Sequence, residues 1–141
     1  MNIKQISVFI ENRHGSLTDF TTLLGENGID LIALSIADTT NFGILRAIVS
    51  DNDKALGIVR DKGYTANLTE VLAVAVPDVP GGLANVLALL RDNDISIEYL
   101  YSFVRRVGND AIIIFRVDQP EKAGNLLIQK GIRLLNQEEI A

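Results

Sequence analysis

The sequence predicts an α+β protein made of two successive βαββαβ units, each an antiparallel sheet with both helices packed on one face. Three observations predict it. The apolar period switches along the chain between about two and about 3.6 residues, the signatures of a half-buried strand and of an amphipathic helix. The same pattern recurs at a fixed offset: Gly15 and Gly81, Leu17 and Leu83, Leu24 and Leu90, and Asn12 and Asp78 each stand 66 residues apart. A fixed period of this kind marks a supersecondary unit present twice. Third, 141 residues suffice for two small units, and a unit of roughly 70 residues buries too little surface to be robust alone. The units are expected at 1–70 and 71–141.

In chain order, Ile3 to Ile10 reads as a strand, with Ile6, Val8 and Ile10 alternating with Ser7 and Phe9. Glu11 to Gly15 is a turn. Ser16 is placed to cap the following helix, with Asp19 supplying negative charge in its first turn. Leu17, Phe20, Leu23 and Leu24 form the apolar stripe, and Asn27-Gly28 stops the helix. Ile29 to Ala37 and Phe42 to Val49 form a hairpin about the turn Asp38 to Asn41. Asp51-Asn-Asp53 caps a second helix, which Lys62-Gly63 ends, and Tyr64 to Glu70 is a fourth strand.

The order then repeats. Val71 to Val76 is a strand, Leu83 to Asp92 a helix, Ile95 to Val104 and Ala111 to Val117 a hairpin about Gly108-Asn-Asp110. A helix follows from Gln119-Pro120 to Lys130-Gly131, then a short strand from Ile132 to Leu135. Gly63 and Gly131 stand 68 residues apart, which places a two-residue insertion in the second hairpin, a position that tolerates one. The tail from Asn136 to Ala141 is expected to fray. Ile112 and Ile114 point opposite to Ile113 and Phe115, so both faces of these strands want cover, and a homodimer is expected.

Composition narrows the function. Hydrophobic residues make up 48%, the formal net charge is −5, the isoelectric point is near 4.8 and the mean hydropathy is +0.22. An acidic chain of this kind does not suit a nucleic-acid surface. There is no cysteine and a single histidine, which excludes disulfides, thiolate metal sites and thiol nucleophiles. No stretch approaches the roughly 20 apolar residues of a membrane span, and the start lacks a signal-peptide pattern. The expectation is a soluble cytoplasmic protein that binds neither membrane nor nucleic acid and needs no cofactor.

The chemistry is expected at the strand-to-helix junctions, Asn12-Arg13-His14-Gly15-Ser16-Leu17 and Asp78-Val79-Pro80-Gly81-Gly82-Leu83. The first N–H groups of a helix have no intrahelical partner and carry the positive end of its dipole. Glycines let a ligand come close to the backbone. Such a junction seats a small anion, a carboxylate among them; equally, Pro80 and Gly81 serve a plain turn. His14 lacks a nucleophile partner and reads as an exposed loop histidine or a ligand contact, not as a catalyst. Asp78 either caps the turn or holds an ammonium group. Arg105-Arg106 reads as a solvated strand end, and Asp92-Asn-Asp94 as helix-end residues, not metal ligands.

The repeated pattern, Asn12-x-x-Gly15-x-Leu17 and Asp78-x-Pro80-Gly81-x-Leu83, resembles that of the ACT domain. The second copy is the nearer match, because the first carries His14 in place of the proline. The resemblance spans nearly the whole chain as a tandem pair. It implies two ferredoxin-like units, their antiparallel sheets joined side by side with helices on one face. It also implies an allosteric, non-enzymatic regulatory protein that binds a free amino acid and works beside a metabolic enzyme. By the same resemblance the ligand lies at the interface between units, between the strand-to-helix loop of one and the second strand of its neighbour. Those strands run from Leu31 to Ala37, with Leu34, Ser35 and Ile36, and from Ile97 to Phe103, with Tyr99, Leu100 and Tyr101. Tyr99 and Tyr101 share a face and read as packing or as a ligand stack. A regulatory subunit like the small subunit of acetolactate synthase is the alternative.

Overall fold

A computed structural model describes residues 3–38 and 41–140. Met1, Asn2, Thr39, Thr40 and Ala141 lie outside the described residues, as do the side chains of Asp38, Val104, Arg105 and Arg106. The expectation for Arg105-Arg106 therefore falls outside them too.

The chain forms two units, residues 4–69 and residues 70–140. The first contains β1 (Ile3–Glu11) from Lys4 onward, α1 (Ser16–Glu26), β2 (Leu31–Asp38), β3 (Phe42–Val49), α2 (Asn52–Asp61) and the start of β4 (Ala66–Pro77). The second contains the rest of β4, α3 (Gly82–Asp92), β5 (Ile97–Val107), β6 (Asp110–Val117), α4 (Pro120–Gln129), β7 (Leu134–Leu135) and α5 (Gln137–Ile140). The two runs expected as separate strands, Tyr64 to Glu70 and Val71 to Val76, are thus one twelve-residue strand. Past Asn67, at its start, no turn residue stands between Leu68 and Val76, so nothing breaks it where the two runs meet.

Within the first unit the strand order is β2-β3-β1-β4, and within the second β5-β6-β4-β7. Both are the βαββαβ order the repeat predicts. The β1–β3 register sets Val8 opposite Leu45 and Phe9 opposite Ile44. The equivalent β4–β6 pairing sets Val74 opposite Ile113. One face of each sheet carries the helices. In the first unit Ile6, Val8, Leu45 and Val49 pack with Phe20 and Leu24 of α1 and Ala55 and Val59 of α2. In the second, Leu72, Val74, Phe115 and Val117 pack with Val86 and Leu90 of α3 and Ala123 and Leu127 of α4. Each fully buried Val, Leu, Ile or Phe side chain among these contributes roughly 1.5–3 kcal/mol. The opposite face is buried as well at Ile48, Ile112 and Ile114, as the two-sided apolar pattern requires.

The helix ends follow local chemistry. Asp51 caps α2, its carboxylate accepting from the Lys54 N–H at 3.1 Å. Pro120 stands in the first turn of α4, where its missing N–H costs nothing. At the end of α1, Asn27 donates to the Leu23 carbonyl and Gly28 takes φ 70°, so that the Ile29 N–H reaches the Leu24 carbonyl. The end of α3 repeats this with Asn93, Leu89, Ile95 and Leu90, but the left-handed residue is Asp94, with φ 59°. Ile95 therefore closes the helix, and β5 begins at Ile97.

Two expectations are corrected. The tail does not fray at 137–140. Asn136 and Glu139 exchange hydrogen bonds, each side chain accepting from the other's N–H at 2.9 and 3.1 Å, the reciprocal cap of a helix start. Glu139 also pairs with Arg133, and Ile140 is buried. The last strand is shorter than Ile132 to Leu135, because the Ile132 N–H is spent on the Leu127 carbonyl at the end of α4. Among the described residues no helix is long and apolar enough to cross a membrane.

Candidate functional site

The two strand-to-helix loops have the same backbone. Gly15 stands before α1 with φ 84° and ψ −7°, and Gly81 before α3 with φ 84° and ψ −6°. This left-handed conformation is the one glycine adopts without penalty. A Cβ at either position would meet nothing within 4 Å, so glycine is there for its conformation and leaves an open approach to the backbone.

The hydrogen bonds also repeat. The Asn12 N–H donates to the Asn41 carbonyl at 3.0 Å and the Asp78 N–H to the Asn109 carbonyl at 3.3 Å, tying each loop to the hairpin tip of its own unit. Arg13 donates to Glu11 as Val79 does to Pro77, both at 2.9 Å. Ser16 donates to Arg13 as Gly82 does to Val79, at 3.2 and 3.0 Å. Asp19 donates to Gly15 as Asn85 does to Gly81, at 2.9 and 3.0 Å. In each helix the two N–H groups between these, of Leu17 and Thr18 or of Leu83 and Ala84, belong to the first turn, where no intrahelical carbonyl is available. Each loop is thus built to present two N–H groups at the positive end of a helix dipole.

The side chains differ. Gly15 and not Ser16 is the cap residue of α1, which corrects the expected serine cap. Ser16 is the first helical residue, 7% exposed, and its Oγ is buried without a hydrogen-bond partner. An unpartnered buried hydroxyl costs roughly 1–3 kcal/mol. In the second unit Gly82 holds this position, and a Cβ there would stand 2.0 Å from the Pro77 carbonyl oxygen. Asn12, Arg13 and His14 are exposed, as are Asp78, Val79, Pro80 and Gly81. Arg13 pairs with Glu11 at 3.0 Å and reaches Asp19 at 4.0 Å. All three side chains are largely solvated, so these pairs orient Arg13 and contribute little stability.

Of the second-strand residues, Leu34 and Ile36 stand opposite Ala47 and Leu45, on the helix-bearing face, and remain 37% and 48% exposed. Ser35 points the other way. In β5, Leu100 lies opposite Phe115 on the helix-bearing face, and Tyr99 and Tyr101 lie opposite Arg116 and Ile114 on the other. The tyrosines thus share a face, as expected. It is not the face that carries α3, so Leu100 and not the tyrosines is on the side of the Gly81 loop.

The first unit also holds a groove of about 680 Å³, bounded by the end of β1, by α1, by Phe42 of β3 and by the α2–β4 connection at Lys62 to Thr65. Arg13 and Ser16 of the loop line it. Its volume lies inside the roughly 300–1,000 Å³ of small-molecule sites. Phe9, Phe42 and Tyr64 line it too and were not singled out from the sequence. Aligning the repeats carries the signal that finds two of them: Phe9 corresponds to Ala75 and Phe42 to Asp110, large aromatic residues against a small and a charged one.

The comparisons with known proteins agree with this architecture. The family model of the ACT domain pair matches residues 1–141. A protein of Bacteroides thetaiotaomicron has a crystal structure that matches with a TM-score of 0.93 at 41% identity, over 99% of this chain and 96% of that one. The ligand-free regulatory subunit of aspartate kinase from Thermus thermophilus matches with a TM-score of 0.63 at 18% identity, over 89% and 91%. The regulatory subunit of aspartate kinase from Thermus flavus gives 0.61 at 16%, over 89% and 90%. At these identities the two Thermus subunits share the fold alone. No curated protein matches the chain. The twice-built glycine loop, the βαββαβ order of each unit and the match over the full length place the chain in the ACT-domain family, a regulatory family, as an ACT domain pair.

Proposed function

We propose that this protein is a regulatory amino-acid sensor with no chemistry of its own, binding a free amino acid at its strand-to-helix loops. The observation that carries the reading is the loop built twice with one backbone. In each unit an α-carboxylate would take the two first-turn N–H groups at a glycine that leaves the approach open. Asn12 or Asp78 would take the α-ammonium group, through an amide oxygen or a carboxylate. Membership of a regulatory family supports a binding role over a catalytic one. The signal would pass by population shift, the ligand favouring one arrangement of the protein or of its homodimer.

A thermal-shift screen of the purified protein against the twenty amino acids, followed by calorimetry, tests this. A ligand at about 100 times its dissociation constant adds roughly 2.7 kcal/mol, which raises the melting temperature by roughly 5–15 °C at this chain length. Asp78→Ala and Gly15→Val then assign the response to one loop. If none of the twenty shifts the transition, the sensor reading falls.

A second reading, a regulatory subunit of an amino-acid biosynthetic enzyme, has one observation in its favour. The chain covers 91% of the Thermus thermophilus regulatory subunit, so a protein of this architecture and length serves as a subunit elsewhere. Recovery of a larger enzyme with the tagged chain from its native extract would favour it.

A further inference from the structure

We infer that the groove of the first unit is the side-chain pocket of the amino-acid site, and that it selects an amino acid with a large apolar, preferably aromatic, side chain. The inference deepens the proposed function and rests on it. The two loops share a backbone, so what distinguishes them is what their side chains build, and in the first unit they build a groove.

Four residues that make the groove are replaced in the second repeat: Phe9 by Ala75, Arg13 by Val79, Ser16 by Gly82 and Phe42 by Asp110. Phe9 and Phe42 are 49% and 51% exposed, a large apolar area to leave in water on one sheet. Phe9 stands opposite Ile44 in the β1–β3 register and Phe42 opposite Glu11. The two phenylalanines are therefore diagonal cross-strand neighbours, with Cβ atoms roughly 7–8 Å apart, on the sheet face away from α1, and the groove they line reaches that face past the end of β1 at Ile10 and Glu11. A flat or branched apolar side chain fits against such a pair.

The polar end of the groove suits a zwitterion. It carries both signs, Arg13 and Lys62 against Glu11, Asp19 and Glu26. It begins at the start of α1, where Ser16 holds its Oγ buried and unpartnered. A carboxylate at this helix start takes the first-turn N–H groups and gives the serine hydroxyl the acceptor it lacks. Nothing of this kind exists at Gly82, which has no side chain.

Calorimetry on the full chain tests the inference with L-phenylalanine, L-leucine, L-serine, L-aspartate and 3-phenylpropionate. L-Phenylalanine and L-leucine are expected to bind at least tenfold more tightly than L-serine or L-aspartate. 3-Phenylpropionate, which lacks the ammonium group, is expected to bind at least tenfold more weakly than L-phenylalanine. The variants Phe9→Ala, Ser16→Gly and Phe42→Asp copy residues that the second repeat places on the equivalent backbone. Phe9→Ala should weaken L-phenylalanine binding at least tenfold with circular dichroism unchanged, and Ser16→Gly at least threefold; these two serve if Phe42→Asp does not fold. Three outcomes overturn the inference and leave the sensor reading standing: preference for a polar amino acid, binding unchanged in Phe9→Ala but lost in Asp78→Ala, or Phe9→Ala converting a dimer to a monomer with affinity intact. Failure of all twenty amino acids to bind removes both.

Discussion

Gly81 and Gly82 are adjacent, yet the structure requires glycine at each for a different reason, and the difference is measurable. Gly81 has φ 84° and open space where a Cβ would go. Gly81→Ala therefore meets backbone strain alone. The left-handed conformation costs an ordinary residue roughly 1–2 kcal/mol, and the lower entropy of the unfolded alanine chain returns about 0.4–1 kcal/mol. The expected net loss is about 1 kcal/mol. At Gly82 the Cβ would stand 2.0 Å from the Pro77 carbonyl oxygen and 3.1 Å from its carbon. Both are backbone atoms, so no rotamer change relieves the overlap. The chain must move by more than about 1 Å, which costs about 1–3 kcal/mol as overpacking. It also strains the 2.9 Å hydrogen bond from Val79 to that same carbonyl, about 1 kcal/mol more. Gly82→Ala is thus expected to lose roughly 2–4 kcal/mol, and Gly82→Ser at least as much, although Ser16 fills the equivalent place in the first unit. Urea unfolding followed by circular dichroism reads both, as a shift in midpoint at constant slope. If Gly82→Ala costs no more than Gly81→Ala, the reasoning from the Pro77 carbonyl is wrong.

Three further expectations follow from other parts of the molecule. Asp94 holds the left-handed position that Gly28 holds in the first repeat, so Asp94→Gly should stabilise by roughly 0.5–1 kcal/mol, read as a rise in urea midpoint. A loss of stability would show that the aspartate contributes more than its backbone strain costs. Phe20 is fully buried, with its ring edge-on to Tyr64 at a centroid distance of 5.4 Å; Phe20→Ala should cost about 3–5 kcal/mol, and a cost under 1 kcal/mol would refute the packing described for the first unit. The Asn136 N–H, and then the Arg133 guanidinium, hold the Glu139 carboxyl below the usual carboxylate range. Because its folded value is depressed, the contribution to docking of α5 is complete above the ordinary carboxylate value of about 4.3 and is lost as pH falls through the lower folded value. Amide exchange at Gln137 to Ile140 should accelerate over that interval, and Asn136→Ala should give the accelerated rate already at pH 7.

The sequence by itself determined the repeat, the element order and the two loops. These depend on local chemistry read within a few residues: a 3.6-residue stripe at Leu17, Phe20 and Leu24, left-handed glycines at 15 and 81, a capping aspartate at 51. The two-residue difference between offsets placed the insertion in the β5–β6 hairpin for the same reason. Only the tertiary structure decided what Ser16 does. A serine at a helix start reads as a cap, but Gly15 takes that place, and the serine hydroxyl is buried without a hydrogen-bond partner. Gly82 is similar, because the atom that excludes its Cβ belongs to the end of the preceding strand. The tail was misread because the partner of Glu139 that matters locally is Asn136, three residues back, where a cap box is easily taken for a polar end. The groove was the least legible feature. It exists because the register sets Phe9 opposite Ile44 and Phe42 opposite Glu11, and because Thr65 accepts from the Phe9 N–H. Those pairings join positions more than 30 residues apart, and register of that kind is settled by how a whole sheet packs, not by any short stretch of chain.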